Sequence, residues 1–442
     1  MSDERKWAER RVGFARFIAR AKQVLTTDPI GSDEDDHVVD EEAARALATQ
    51  AGRLKGGLAK VAQLAAYDPG ASLGRGRGAS AQARAVLGGL WDHAPAISAG
   101  AIAAVVEEDF GKAPQALFSH WDAAPIAAAS LGQVHAAKLH DGTDVVVKVQ
   151  YPGVADKLRA DLDDDEFVRK LAGAEIGRAL EDDALHTLSD AVRGELDYHA
   201  EAAAQMKFAA AWQGDKVLRV PRVIGELSSL RVLTMTRAKG KPMVEVVASG
   251  APDVRAQAAA AIYKFAWGSP LAHGLLNADP NPGNFLVEIE PDGHVLVWCL
   301  DFGCALELPD EVRDLDRELW WGLLDEDDRA AGAERFRVAL AKAGLLRRTD
   351  SLATTAHREW EGALAKPLAT HGNFHWDAAY AGTFAESTAR VLATGGLQLP
   401  AKVMLLWRQR LGVAAVIGML DAKAPFRRVL FDLIGSGRRA LR

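Results

Sequence analysis

The apolar positions change their spacing near the middle of the chain. In the first part, short apolar runs separated by turn residues predict strands at 125–135, 144–149 and 217–234. After residue 236, apolar residues recur mostly at helical spacing. The exception is a pair of runs, 285–289 and 294–300, which flank Pro291-Asp292-Gly293 and predict one hairpin. A strand-rich part followed by a helical part predicts an α+β protein with two lobes.

The N-terminal part carries two helical patterns joined by an acidic linker. Residues 3–25 place Phe14, Phe17 and Leu25 at helical spacing among arginines, and the linker, 32–42, follows. We expect this basic helix to pack against the rest of the protein. The alternative is that it contacts an anionic membrane surface. We divide the chain into basic helix and linker (1–45), helical extension (46–115), strand-rich lobe (116–235) and helical lobe (236–442).

Composition narrows the class of protein. The 442 residues are 49% hydrophobic and 26% charged, and the net charge of -7 argues against nucleic acid as a partner. Cys299 and Cys304 are too few for a disulfide framework or a four-ligand zinc site. The N-terminus has no signal-peptide core, and the apolar run 411–420 is about half the length of a spanning helix. We expect a cytoplasmic protein without a transmembrane segment.

Oxygen-bearing side chains flank the predicted hairpin. Asp279 and Asn284 lie five residues apart in the loop before it, and Asp301 begins an Asp-Phe-Gly triplet after it. This spacing resembles the catalytic loop and the metal-holding triplet of protein kinases. Phosphoryl transfer needs a carboxylate beside the attacking oxygen and two oxygen ligands for the Mg²⁺ that neutralises the triphosphate. We assign Asp279 to the first role, and Asn284 and Asp301 to the second.

A lysine in an apolar strand is the candidate phosphate-binding cation. Lys148 follows Val145-Val146-Val147, a run that predicts a strand buried on both faces, where an unpaired lysine would be costly. The predicted helix 189–208 offers Glu195, Asp197 and Glu201 as carboxylate partners. A solvated position is the alternative for any one of these three carboxylates.

Four motifs together resemble the UbiB/AarF family of atypical kinase-like proteins, over about residues 50–430. They are 125–135, Val147–Gly153, Glu195-Leu196-Asp197 with Glu201, and Ala278–Asn284. The resemblance implies a bilobal protein-kinase-like fold that binds ATP and Mg²⁺. In that family an alanine-rich loop covers the nucleotide, here Ala127, Ala128, Ala129 and Ser130. Because alanine restricts φ more than glycine does, this loop should approach the phosphates less freely than a glycine-rich one.

The resemblance also implies the partner of the lysine and the adenine contact. Glu201 matches the glutamate that pairs with the nucleotide lysine, Lys148. Met235 and Thr236 match the interlobe hinge, whose backbone would meet the adenine edge. Lys148 and this hinge would therefore bind opposite ends of one nucleotide.

A lid over the site is the last element that the resemblance implies. Lys60 and Gln63 match a helix that folds over the substrate side, although their residue types alone indicate only a surface helix. Glu195 and Asp197 match a pair that contacts this lid or the metal region. Three positions depart from the family pattern: Ala62 replaces a glycine, and Asn277 and Asn281 replace residues that are usually histidine.

The segment after the Asp-Phe-Gly triplet bears on the reaction. Six residues separate Gly303 from the next helical pattern at Asp310, and the chain has no Ala-Pro-Glu triplet, so the long peptide-binding segment of protein kinases is missing. We expect a Mg²⁺-dependent ATPase, or a kinase for a small or lipid-like acceptor, with ATP between its lobes. The resemblance implies support of ubiquinone or other isoprenoid-lipid metabolism. A protein kinase, including one that phosphorylates only itself, and a nucleotide-binding scaffold without turnover are the alternatives.

Overall fold

The computed structural model describes residues 97–129, 131–162, 186–187, 189–190, 193–325, 329–346 and 355–439. The basic helix, the acidic linker, the segment with Lys60 and Gln63, and Ser130 lie outside these residues. The chain divides into two compact units. The first unit comprises Met1–Ala179 and Ile224–Met235, and the second comprises Leu180–Val223 and Thr236–Arg442.

Up to Thr236 the described elements are five strands and four α-helices, and after it they are mainly helices. In chain order they are α1 (Ala99–Phe110), α2 (Pro114–Leu117), β1 (His120–Ala128), β2 (Gly132–Lys138), β3 (Asp144–Gln150), α3 (Val154–Leu162), α4 (Tyr198–Ala211), β4 (Leu218–Arg219), β5 (Val232–Thr236), β6 (Lys241–Pro242), α5 (Met243–Ser249), α6 (Pro252–His273), β7 (Leu275–Asn277), β8 (Phe285–Ile289), β9 (Val295–Cys299), β10 (Ala305–Glu307), α7 (Asp310–Leu324), α8 (Arg329–Lys342), α9 (Thr355–Ala365), β11 (Phe374–Trp376), α10 (Ala378–Ala393), α11 (Ala401–Leu420), β12 (Ala422–Ala424) and α12 (Phe426–Arg439). The predicted hairpin is present, with β8 antiparallel to β9.

The first unit is built on a four-stranded sheet in the order β1-β2-β3-β5. In β3, Val145, Val147 and Val149 are fully buried, while Val146 and Lys148 are only partly buried. Side chains alternate across a pleated strand, so Val145, Val147 and Val149 line one buried face, while Val146 and Lys148 lie on the other. The prediction of a strand buried on both faces is therefore correct for the first face and only in part for the second.

The alanine-rich segment forms the end of a hairpin. Ala127 pairs with Val134 and Ala128 with Gln133, so both alanines belong to β1. The Ala129 N–H donates to the Gly132 carbonyl at 2.9 Å, which closes a tight connection to β2. The first two residues of the predicted loop are thus strand, because the cross-strand ladder binds their backbone groups.

Two predicted elements have different bounds in the second unit. The helix predicted at 189–208 is α4, which begins only at Tyr198, because Asp197 caps it by accepting hydrogen bonds from the backbone N–H groups of His199 (2.9 Å) and Ala200 (3.0 Å). The strands predicted within 217–234 are β4 and β5, but they do not pair with each other. β4 pairs in parallel with β9, in a second sheet of order β4-β9-β8-β6.

The helical core of the second unit surrounds α11. This is the one helix among the described residues that is long and apolar enough to cross a membrane, yet most of it is buried inside the protein. Arg410 on α11 is fully buried and bonds to Asp316 of α7 through both terminal nitrogens. Its guanidinium carbon lies 4.8 Å from the ring centre of Trp320. Because a buried charge needs a partner, the Arg410–Asp316 ion pair is consistent with α11 lying in the protein core.

A buried histidine in the first unit links β1 to β2. The His135 side chain is 0% exposed, and its Nδ1 lies 2.8 Å from the Asp122 carbonyl oxygen. Since a carbonyl only accepts, Nδ1 carries the hydrogen, and Nε2 accepts from the Gln133 amide at 3.0 Å. Burial lowers the pKa of His135, although the Asp122 carbonyl and carboxylate oppose this effect.

We expect this histidine to make the protein sensitive to acid. A lowered folded-state pKa means that the unfolded chain binds the proton more readily, so the stability is complete above pH 6.5, the ordinary value, and falls below it. Urea unfolding at pH 7.5 and 5.5 measures the loss of unfolding free energy. His135→Gln should reduce this loss, whereas His140→Gln, at an exposed turn position, should not. An equal loss in both variants would contradict the prediction.

Candidate active site

A short strand pair brings the predicted catalytic loop and the Asp-Phe-Gly triplet together. β7 and β10 are antiparallel, with Asn277 opposite Ala305 and Leu275 opposite Glu307. The ladder continues past β7, where the Ala278 N–H donates to the Cys304 carbonyl at 3.0 Å. The loop that follows β7 and the triplet that precedes β10 therefore leave the same end of this pair.

Asp279 and Asn284 meet inside the loop, as their spacing predicts. The Asn284 amide nitrogen lies 3.2 Å from the Asp279 carboxylate and 3.3 Å from its carbonyl oxygen. A 3₁₀ turn, Pro282–Asn284, makes this contact, and Asn281 caps it by accepting from the Gly283 N–H at 2.8 Å. This cap accounts for an asparagine at position 281.

The hairpin brings Asn284 and Asp301 to the same end of the second sheet. Phe285 pairs with Cys299, and the Leu300 N–H donates to the Asn284 carbonyl at 3.0 Å. Asn284 thus directly precedes β8, and Asp301 lies two residues after the end of β9. The Gly303 N–H donates to the Asp301 carboxylate at 3.0 Å, which orients that side chain.

These two side chains fit a Mg²⁺ ion that also binds phosphate. Among the described residues, no three His, Cys, Asp or Glu side chains form a metal-binding group of their own. Mg²⁺ usually takes one or two protein oxygens and completes its shell with water and substrate phosphates. The Asn284 amide nitrogen bonds to Asp279, so its side-chain oxygen is the atom that can face a cation. Asp301 contributes a carboxylate, and the pair therefore has the right chemistry.

Three carboxylates gather around Gly303. A methyl group at this glycine would lie 3.3 Å from the Glu195 side chain, 3.4 Å from that of Asp301 and 3.5 Å from that of Glu201. Glu195 and Glu201 are both buried. The missing side chain at Gly303 thus lets the triplet backbone lie against these three acidic residues.

The triplet and the residue after it are anchored to the segment around α4. The Phe302 ring centre lies 4.8 Å from that of Phe208 on α4. The Cys304 thiol donates to the Glu195 carboxylate at 2.7 Å. Glu195 therefore contacts the side chain of the residue just after the triplet, whereas Asp197 caps α4. Their predicted contact with the lid helix involves residues outside the described chain and stays a prediction.

The other residues predicted to contact the nucleotide are divided between the two units. In the first unit, Lys148 lies on β3 and Met235 is buried at the end of β5. In the second unit, the Thr236 N–H donates to the Arg222 carbonyl at 2.9 Å, and its hydroxyl accepts from the Arg222 N–H at 2.9 Å. An adenine contact from Thr236 would therefore use its carbonyl oxygen. The roles of Lys148 and Met235 stay predictions.

Comparison with known proteins gives the family. The sequence model of the ABC1 atypical kinase-like domain family matches residues 89–334, which is more than half of the chain. The chain belongs to this family. It is the UbiB/AarF family that the motifs resemble, so that prediction is confirmed.

Relatives in this family include proteins named as kinases. The mitochondrial atypical kinase COQ8B of Rattus norvegicus is 31% identical over 278 residues, which are 62% of this chain and 50% of the relative. The chloroplastic protein Activity of BC1 complex kinase 8 of Arabidopsis thaliana is 29% identical over 272 residues, 60% of this chain and 35% of the relative. The chain thus spans half or less of these relatives.

A solved structure confirms the fold. The complex of Rv3197 with erythromycin from Mycobacterium tuberculosis superposes with a TM-score of 0.60 at 26% identity, and it covers 91% of this chain and 98% of that one. The predicted α+β, kinase-like fold class is therefore correct.

One residue that positions the loop is missed by sequence reasoning. Gly412 is buried on α11, and a methyl group there would lie 2.1 Å from Cγ and 2.6 Å from Cβ of Pro280. Pro280 directly follows Asp279, so the missing side chain lets the loop lie against the helix. The sequence shows a glycine inside a helical pattern, which indicates close packing but does not name its neighbour.

We expect Gly412→Ala to displace the catalytic loop. The proline ring cannot move aside as a flexible side chain does, so the overpacking should lower the free energy of unfolding by about 1–3 kcal/mol. It should also speed hydrogen exchange at 281–284. Gly362→Ala is the matched control, because Gly362 is an exposed glycine within α9 and has nothing within 4 Å of the added methyl. That change should be neutral or stabilising. Unchanged stability and exchange in Gly412→Ala would contradict the proposed packing role.

Proposed function

We propose that this protein is a Mg²⁺-dependent ATPase that supports ubiquinone or other isoprenoid-lipid metabolism. The main support is the bonded set in the second unit, where Asn284 contacts the Asp279 carboxylate and the hairpin aligns Asn284 with Asp301. A carboxylate, a metal carboxylate and a metal amide at this spacing are the parts that phosphoryl transfer uses. A nucleotide-binding scaffold without turnover would not need Asp279.

In this proposal each side chain has one task. Asp279 accepts a hydrogen bond from the attacking water and orients it toward the γ-phosphate, and its own orientation comes from the Asn284 amide. Asn284 and Asp301 offer oxygen atoms to Mg²⁺, and Lys148 binds the phosphates. When bound, Mg²⁺ supplies the positive charge that offsets the triphosphate and the carboxylates. The pairing of Glu201 with Lys148, which the resemblance implies, stays a prediction.

The short segment after the triplet supports water, or a small or lipid-like acceptor, over a protein acceptor. Residues 305–307 form β10, which is fully paired with β7, and α7 begins at Asp310. Protein kinases bind the acceptor peptide along a much longer segment at this place in the chain. Here the segment is used to complete a strand pair instead.

The place of action is part of the proposal. The basic helix predicted at residues 3–25 would bring the protein to an anionic membrane surface, where lipid-like intermediates are found. The named relatives are mitochondrial and chloroplastic proteins. For this chain we keep the cytoplasmic assignment with peripheral membrane contact as the hypothesis.

Phosphate release from Mg-ATP tests the proposal directly. We expect the wild-type protein to release phosphate, more so with anionic liposomes, and Asp279→Asn and Asp301→Asn each to lower kcat by about 100-fold or more. Each change keeps the side-chain volume and removes the negative charge. Asp253→Asn, at an exposed position in the first turn of α6, is the matched control and should keep full activity.

Three outcomes would reject the proposal. Equal release by the wild type and both variants would show that the activity does not come from this site. Binding of nucleotide without release would favour the scaffold, and radioactive phosphate on the protein itself, with none released, would favour an autophosphorylating kinase.

A further inference from the structure

One buried carboxamide contacts both halves of the candidate site. Asn277, at the end of β7, is 8% exposed. Its amide nitrogen donates to the carbonyl oxygen of Asp301 at 2.7 Å. Its side-chain oxygen accepts from the backbone N–H of Asp279 at 3.1 Å. The single side chain therefore uses its donor on the metal-binding residue and its acceptor on the residue that orients the attacking oxygen.

We propose that Asn277 is a positioning residue that fixes the distance between Asp279 and Asp301. This inference rests on the proposed function, since it matters only if both carboxylates act in one reaction. It adds to the roles given above, because Asn277 touches neither the nucleotide nor the metal in the proposal. It acts through the backbone of the two residues that do.

The β7–β10 ladder does not reach either of these two residues. The β7–β10 ladder ends with the Ala278 N–H bonded to the Cys304 carbonyl, and Asp279 and Asp301 both lie beyond that bond. Within the loop, Asn284 orients the Asp279 side chain but makes no hydrogen bond to Asp301. The Asn277 carboxamide thus bridges the catalytic-loop backbone and the triplet backbone at the point where the ladder stops.

The bridge requires a hydrogen-bond donor and a hydrogen-bond acceptor that are separated by about the width of one amide group. A leucine has a similar volume and neither group. An aspartate keeps the acceptor, loses the donor and presents a second oxygen to the Asp301 carbonyl. A neutral histidine carries a donor on one ring nitrogen and an acceptor on the other, so it can make both bonds. The three substitutions therefore distinguish an effect of the two hydrogen bonds from an effect of side-chain volume.

The experiment measures metal affinity and turnover in the full-length protein. Mn²⁺ binding in the presence of ADP is followed by electron paramagnetic resonance, and phosphate release gives kcat and the KM for Mg²⁺. We expect Asn277→Leu and Asn277→Asp to weaken Mn²⁺ binding by about 10- to 100-fold and to raise the KM for Mg²⁺ similarly, as loss of a group that orients a metal ligand does. At pH 8, where imidazole is neutral, Asn277→His should recover most of the affinity.

The control is another carboxamide bonded to a backbone carbonyl. Gln398 donates to the Gly344 carbonyl at 2.9 Å, far along the chain from the site. Gln398→Leu should lower thermal stability without changing Mn²⁺ affinity. If Asn277→Leu does not fold, Asn277→Asp provides the test, since it keeps the volume and the polar character.

The outcomes separate this inference from the proposed function. The positioning role would be overturned if Asn277→Leu and Asn277→Asp kept the wild-type Mn²⁺ affinity. It would also be overturned if Gln398→Leu lost as much Mn²⁺ affinity as they do. Either result would leave the ATPase proposal intact. Mn²⁺-ADP binding by the wild type without phosphate release would reject hydrolysis, while a loss in the variants would still support the bridge. No Mn²⁺-ADP binding by the wild type would overturn both.

Discussion

The antiparallel pairing of β7 with β10 is the constraint on which the candidate site depends. Three residue pairs hold the start of the predicted catalytic loop beside the end of the Asp-Phe-Gly triplet. The β8–β9 hairpin is the connection between these two segments, and it returns Asn284 to the neighbourhood of Asp301. Two local strand pairs in one continuous stretch, residues 275–307, therefore assemble the site. The surrounding helices fix this stretch in place, as Gly412 does by letting Pro280 pack on α11.

The locality of this stretch explains why so much of it could be predicted. Asp279, Asn284 and Asp301 are separated by a 3₁₀ turn and one hairpin, and both have strong signals: a proline before the turn residues and Pro291-Asp292-Gly293 between the strands. The β-branched and aromatic residues of β9 favour a strand with or without tertiary contacts. Family membership and the kinase-like fold followed from four motifs, of which one, Ala278–Asn284, lies in this stretch.

Features that depend on distant residues could not be predicted. β4 pairs with β9, about 80 residues later, and no local pattern names that partner. The start of α4 depends on whether Asp197 caps a helix or lies inside it, and helical periodicity does not distinguish these. Asn277 stands where the family usually has a histidine, but one of its two hydrogen bonds is to the Asp301 carbonyl, 24 residues later, which no local pattern places. Residues that position a site act through tertiary contacts, so their role becomes visible only in the structure.

The most direct test is a crystal structure of the protein with Mn²⁺ and a non-hydrolysable ATP analogue, with the metal located by anomalous scattering. The account predicts Mn²⁺ bound by the Asp301 carboxylate and the Asn284 side-chain oxygen, at about 2.2 Å, as expected for a hard divalent cation with oxygen ligands. The γ-phosphate should lie on the Asp279 side of the metal. A metal bound away from Asp301, or a nucleotide whose phosphates point away from Asp279, would contradict the assignment of this site to phosphoryl transfer.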